Sequence, residues 1–247
     1  MKASISRINC FKACRRMYFL KYVEGIVPVS TPEALETGRN YHARIEALYT
    51  GEEIANDYSK DAAMAEAYKR FIMPKVRIVK PEIALTKQIG NHVLEGIVDG
   101  VADDGNIVEH KSTSADLKSG EFEYNLQWDE QVPAYMSLTG ARMCHYTACQ
   151  KPTIRQKQNE TDEEFYQRMI DWYDESKIVT FDVYRTDEEI KAFEEDFVRI
   201  CDEMERAEYM YRNTRQCMAY GRRCEYAGIC LNYDPNEDYV DFIKKER

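Results

Sequence analysis

At 247 residues, 32% charged and 44% hydrophobic, the chain has the length for one domain with its own core and the composition of an ordinary soluble globular protein. A formal net charge of −10 argues against holding nucleic acid by general electrostatics, though not against a local basic surface. No stretch nears the ~20 apolar residues of a membrane span, and residues 1–7 lead into no apolar core of an export signal, so a cytoplasmic location without a membrane partner is expected.

In chain order, residues 4–24 read as a helix capped by Ser4 or Ser6, closed by Gly25 and buried along Ile8, Phe11, Tyr18 and Tyr22. After an extended stretch over 27–32, a second helix is expected to open at Ser30 or Thr31 with Pro32 and to stop at Gly51. Gly38, His42 and Glu46 recur on it at four-residue intervals and so share a face. A third helix over 60–73 and a connector over 74–81 precede strands over 83–90, 92–102 and 107–113. Beyond the polar stretch 114–123, Gln127, Gln131 and Tyr135 line up on a helix. Pro133 has no N–H to donate, so that helix should start close to Asp129 or kink. A strand over 142–150 sets Cys144 and Cys149 on opposite faces, and a helix over 161–175 opens with a Thr161/Glu164 capping box. A strand over 178–184 and a long helix over 186–211, packed by Ile190, Phe193, Phe197, Ile200 and Met204, follow.

The stretch from Glu95 to Thr113 reads as a hairpin with Asp99 on its first strand and Glu109 and Lys111 on one side of its second. A two-residue turn, Asp104-Gly105, would set Asp99 opposite His110. A three-residue turn, Asp103-Asp104-Gly105 with Gly105 left-handed, sets it opposite Glu109. The second register is expected, because it alone gathers two carboxylates and an ammonium. Such a group suits a hard divalent cation, Mg²⁺ or Mn²⁺, with the lysine near a phosphate or the attacking water. A solvated polar hairpin face is the alternative.

Eight cysteines without an export signal point away from disulfides. Cys217, Cys224 and Cys230 crowd a polar segment, and Cys14 stands near the start. Zinc sites bring cysteines in close pairs, which these are not, so the wider spacing suits a [4Fe–4S] cluster first, zinc second and inert buried thiols third.

The run from Cys14 to Gly25, Gly38-Arg39-Asn40-Tyr41-His42, Asp99, Glu109-His110-Lys111, Gln131-Val132-Pro133-Ala134-Tyr135 and the three late cysteines together resemble the PD-(D/E)XK nuclease superfamily. The likeness is to its RecB-type branch with an iron–sulfur cluster, which includes CRISPR-associated exonucleases. Arg15, where many relatives carry Pro, and Pro133 within the Gln-x-x-x-Tyr motif depart from the pattern. The resemblance implies an α/β fold with a restriction-endonuclease-like mixed sheet flanked by helices. It implies a single nuclease domain over 1–247, in which an iron–sulfur module of 1–30 and 212–235 surrounds a core of 31–211. His42, Asp99, Glu109 and the carbonyl of His110 would hold Mg²⁺ or Mn²⁺, with Glu46 supporting His42. Lys111 would act at the scissile phosphate, and Gln131 and Tyr135 would steady Lys111 or touch the DNA backbone. Cys14, Cys217, Cys224 and Cys230 would hold a structural [4Fe–4S] cluster, with Arg15, Arg16, Arg222 and Arg223 as a basic lip for single-stranded DNA beside it. The implied activity is metal-dependent exonucleolytic hydrolysis of DNA, with any helicase, integrase or recombination partner a separate chain. A catalytically silent nuclease-fold subunit and a zinc-containing nucleic-acid binder are the competing readings.

Overall fold

The computed structural model describes residues 1–29, 32–221, 223–230 and 242–245. Ser30 and Thr31, expected to open the second helix, therefore lie outside the described residues, as do Arg222 and residues 231–235 of the expected cysteine module. The chain divides into two compact units, 33–87 with 96–194 and 1–32 with 88–95 and 195–247.

The first of these carries a mixed sheet of β3 (Ile78–Ile89), β4 (His92–Ala102, from residue 96 on), β5 (Ile107–Thr113), β6 (Met143–Gln150) and β7 (Ile178–Tyr184). β5 runs antiparallel to β4 and parallel to β6, and β7 returns antiparallel to β6. A parallel pair needs a crossover, and the chain between β5 and β6 supplies it with α5 (Glu121–Asn125), a 3₁₀ turn (Leu126–Trp128) and α6 (Gln131–Thr139). These pack on one sheet face in a core of Val98, Ile107, Tyr135, Met136, Cys144 and Tyr146. The other face is covered by α3 (Glu33–Thr50) and α4 (Lys60–Phe71), whose Tyr41, Ile45, Met64 and Tyr68 meet Val108, Cys149 and Ile178. Neighbours on one strand thus serve opposite cores, Ile107 one and Val108 the other, and Cys144 and Cys149 separate as expected. α7 (Asp162–Trp172) opens with the expected capping box between Thr161 and Glu164.

Several boundaries move. β3 begins at Ile78, inside the expected connector, and passes through Pro81 to a strained Glu82 at φ +37°. Pro133 causes no conflict, because α6 starts at Gln131 and proline falls in its first turn, where no intrahelical N–H is needed. Asp129 takes up the free N–H groups there, accepting from Gln131 (2.7 Å) and Val132 (3.2 Å).

In the other unit, the opening helix is not continuous. α1 (Ile5–Ala13) is capped by Ser4, then Cys14 takes extended dihedrals before α2 (Arg15–Tyr18) and a π turn (Phe19–Val23). The break is made from outside: Asn213 Nδ2 donates to Ala13 O (2.8 Å), Asn213 N–H meets Cys14 Sγ (3.4 Å) and Arg16 N–H donates to Tyr211 O (3.1 Å). Residues 207–213 are correspondingly irregular, and α8 (Asp187–Arg206) ends short of Tyr211. β1 (Lys2–Ser4) pairs in parallel with residues 93–95 of β4, and β2 (Ile26–Pro28) pairs with β8 (Phe242–Lys244) where a linker was expected. Among the described residues, no helix is long and apolar enough to cross a membrane.

Candidate active site

The β4–β5 turn has the predicted three-residue form. Gly100 pairs with Val108 and Val101 with Ile107, while Gly105 sits at φ +83° and donates to Ala102 O (3.0 Å). Beyond Gly100 the ladder changes character. Val98 packs in the α6-side core and Ala102 in the α3-side core. Regular alternation would put residues four apart on one face, so β4 slips between them. The His110 N–H then finds the Asp99 carboxylate, Oδ2, at 2.8 Å. A side chain has replaced a strand carbonyl, and Asp99 is held in the gap.

Two sets of residues meet through that gap. From the α3 side, His42 Nδ1 lies 3.3 Å from Asp99 Oδ1. From the α6 side, Gln131 Nε2 donates to Glu109 Oε1 (2.9 Å) and also contacts Tyr135 Oη at 2.9 Å. The carboxyls of Asp99 and Glu109 are neighbours, close enough for the charge of one to act on the other. Burial and the adjacent Asp99 charge push Glu109 well above the usual carboxylate range, with Lys111 opposing them. Burial pushes Asp99 up as well, but the hydrogen bond and charge of His42 and the contacts of His110 bring it below its ordinary value. His42 is raised by Asp99 against the effect of burial. His110 is 2% exposed, bonded through Nδ1 to Thr147 Oγ1 (2.6 Å) and pushed by burial down to about 4, so its ring is neutral at pH 7. Lys111 is exposed.

Glu109 Oε2 is buried without a hydrogen-bond donor. A buried acceptor left so costs on the order of 1–3 kcal/mol, and more if charged. Paired with a second carboxylate and an imidazole, it is a donor set that fits a hard divalent cation. His42, Asp99 and Glu109 do not converge to a single point, however, since Asp99 stands between the other two. Among the described residues, the group whose ligand atoms all lie within 4.8 Å of one another is His92, Asp202 and Glu205 in the other unit. There His92 is buried between Asp202 (2.9 Å) and the Met1 ammonium (3.0 Å), which also pairs with Glu205 (2.8 Å). The sequence offered no signal for it, as His92 lies over a hundred residues from Asp202 and Glu205.

Gln131 holds Glu109, where a bond to Lys111 or DNA was expected. Glu46 stands beside Glu82, whose carboxyl, with burial, raises it. Both line a cavity of ≈ 450 Å³ together with Arg39, His42, Asp99 and His110. Two glycines make the packing possible. A Cβ on Gly38 would come within 3.1 Å of Ser112 Oγ on β5, and one on Gly96 within 2.9 Å of the Tyr135 ring. The first gives the Gly-x-x-x-His spacing its physical sense; Gly96 was not singled out from the sequence.

In the other unit Cys14, Cys217, Cys224 and Cys230 are free cysteines. Burial raises Cys230 and Cys224, and neighbouring thiols add to it, Cys14 for the first and Cys217 and Cys230 for the second, so the early and late segments bring the four near one another. Cys10, one helical turn before Cys14, joins them, and burial raises it to about 11. Arg15 does not form an open lip. It pairs with Glu203 and is sandwiched between the rings of Phe11 and Tyr211, each 4.8 Å away. Arg16 lies over Phe19 (5.3 Å) and close enough to Cys230 to lower its thiol, while Arg223 is exposed.

A family model described as the PD-(D/E)XK nuclease superfamily matches residues 2–76 and 59–231, nearly the whole chain. The chain belongs to the PD-(D/E)XK nuclease superfamily. Nucleases of this superfamily generally use divalent metals. No curated protein matches the chain. Among solved structures, an inferred exonuclease from Eubacterium rectale is similar over 99% of this chain and 90% of its own, with 15% identity and a TM-score of 0.56. An alkaline exonuclease from Laribacter hongkongensis is similar over 83% and 88%, with 16% identity and a TM-score of 0.39. The first likeness carries the restriction-endonuclease-like fold, a mixed sheet with helices on both faces.

Proposed function

We propose that the chain is a divalent-cation-dependent deoxyribonuclease that works as an exonuclease on single-stranded DNA or DNA ends. The observation that carries this reading is the meeting of Asp99 and Glu109 carboxyls in the strand gap, with one buried Glu109 oxygen lacking a donor. Asp99, Glu109, His42 and the His110 carbonyl are the groups to hold Mg²⁺ or Mn²⁺. When bound, such a cation makes water a better nucleophile and neutralises charge on the phosphate. Gln131 orients Glu109, and Tyr135 fixes Gln131. Neutral His110 presents its backbone N–H to Asp99 and so keeps that carboxylate aimed into the gap. Lys111, exposed on the strand that carries Glu109, is placed to meet the charge that builds on the phosphate during attack.

Cys14, Cys217, Cys224 and Cys230 hold a structural [4Fe–4S] cluster in this reading. It is supported by their mutual approach and by the N–H of Asn213 directed at Cys14 Sγ. The test is cleavage of end-labelled single- and double-stranded DNA with Mg²⁺ or Mn²⁺. Native protein should release nucleotides from ends and stop when EDTA is added, while Glu109→Ala and Lys111→Ala should be inert. Cation-independent cutting, or full activity of either variant, refutes the assignment.

A further inference from the structure

The segment that delivers Gln131 to Glu109 also exposes two large rings that the cleavage chemistry does not use. Trp128 is 70% exposed and Tyr124 56%. The chain's other tryptophan, Trp172, lies against Tyr173 (centroids 5.0 Å) and beneath the Lys177 ammonium (4.9 Å). The short helical run under Trp128 is firmly seated. Leu126 is buried, Arg185 Nη2 donates to the carbonyls of Leu126 (2.7 Å) and Gln127 (3.2 Å), and Asp129 caps α6. A ring left in water on so well-anchored a turn is displayed rather than merely loose.

Position gives the display its meaning. Gln131 follows Trp128 by three positions, a span of at most about 11 Å. Asp129, next to Trp128, already lies close enough to Glu109 to raise it electrostatically. We propose that Trp128, flanked by Tyr124, is a stacking platform for an unpaired nucleobase of the strand being cut. This rests on the nuclease reading above and adds a preference to it: the substrate end must be single-stranded or frayed, because a paired base has both faces covered. Exposed Glu121 and Glu123 precede Tyr124 on the same short helix. Stacking of a base face on such a ring is indifferent to sequence. The same acids break up the apolar area, which is two isolated rings rather than the continuous patch of a protein contact.

The test measures binding of a labelled thymidine oligonucleotide in EDTA, and separately kcat and KM with Mn²⁺. Trp128→Ala should weaken single-strand binding and raise KM about tenfold, the loss of one base–aromatic stack, with kcat kept. Trp128→Phe should recover most of the loss, and intrinsic fluorescence should be quenched by the strand in native protein but not in Trp128→Ala. An abasic nucleotide at the position that stacks should abolish the difference between native and variant. Unchanged binding, KM and quenching in a Trp128→Ala protein that still cuts overturns the platform and leaves the nuclease standing. A change confined to oligomeric state, read by sedimentation, overturns it in favour of a protein contact. Native protein that binds strands with quenching yet never cuts sinks the nuclease reading instead and keeps the platform.

Discussion

Gln131 sets how Glu109 can act. With Oε1 tied to Gln131 Nε2 at 2.9 Å and Oε2 without a donor, the carboxylate has one oxygen fixed and one to offer. Removing the amide in Gln131→Ala frees a side chain that must otherwise stay aimed, and partners of this kind typically matter by about 10- to 100-fold in metal affinity or activity. Mn²⁺ titration of cleavage should show that loss as a raised cation requirement. A second residue-scale expectation concerns His145, held between Asp104 (2.9 Å) and Asp182 (2.8 Å). Burial lowers His145, but both hydrogen bonds and both charges raise it past its ordinary value. Burial raises Asp104, yet its bonds to Asn106 and His145 bring it to about 2. The raised histidine contributes stability that is whole below its unfolded value, ~6.5, and fades as pH climbs through the folded one. The lowered aspartate contributes above its unfolded ~3.9 and loses its share only as acid titrates it further down. The clasp is therefore intact between these limits. Because Asp104 and Asp182 are 44% and 51% exposed, its worth is under about 1 kcal/mol. Denaturation curves of native protein and His145→Gln should converge as pH rises through neutrality; a constant gap up to pH 9 would contradict it.

Elements built from local rules were legible in advance. The bounds of β4 and β5 were read correctly because alternation, a left-handed glycine and a three-residue turn all agree. The Thr161 box was readable for the same reason, since cap and acid lie three residues apart. Thr161→Ala should cost about 1 kcal/mol in thermal denaturation without touching activity. What could not be read was decided by distant chain. Nothing local tells α1 to stop at Ala13, because the group that ends it is Asn213. Nor does alternation announce where it fails: the slip in β4 that brings Asp99 to His110 is visible only once Val98 and Ala102 are seen in different cores. Gly96 shows the same limit, as its bareness matters only because Tyr135 arrives from another helix. Gly96→Ala should destabilise by about 1–3 kcal/mol through overpacking. Cleavage should fall with it, since Tyr135 can then no longer brace Gln131.

At the level of the molecule, the residues proposed for the metal site and those proposed for the cluster divide between the two units. His42, Asp99, Glu109, Lys111, Gln131 and Tyr135 belong to one, and the four cysteines of the proposed cluster to the other. Loss of the cluster should consequently act on stability before chemistry. Anaerobically prepared protein should contain iron and acid-labile sulfide in equal amounts. Cys217→Ser should lower both, together with the melting temperature, while Glu109→Ala should keep the iron and lose the cutting; zinc alone in native protein would overturn the cluster. The cysteine-bearing unit is gathered from three separate stretches, 1–32, 88–95 and 195–247. Long-range closures of this kind are entropically slow to form. The break at Cys14 has a consequence for biogenesis. Ala13 and Cys14 wait on Asn213, 200 residues downstream, so during translation the first helix emerges from the ribosome long before its terminator exists. That segment must remain provisional until Asn213 has been added, while the sheet-bearing unit, complete by residue 194, is free to settle first.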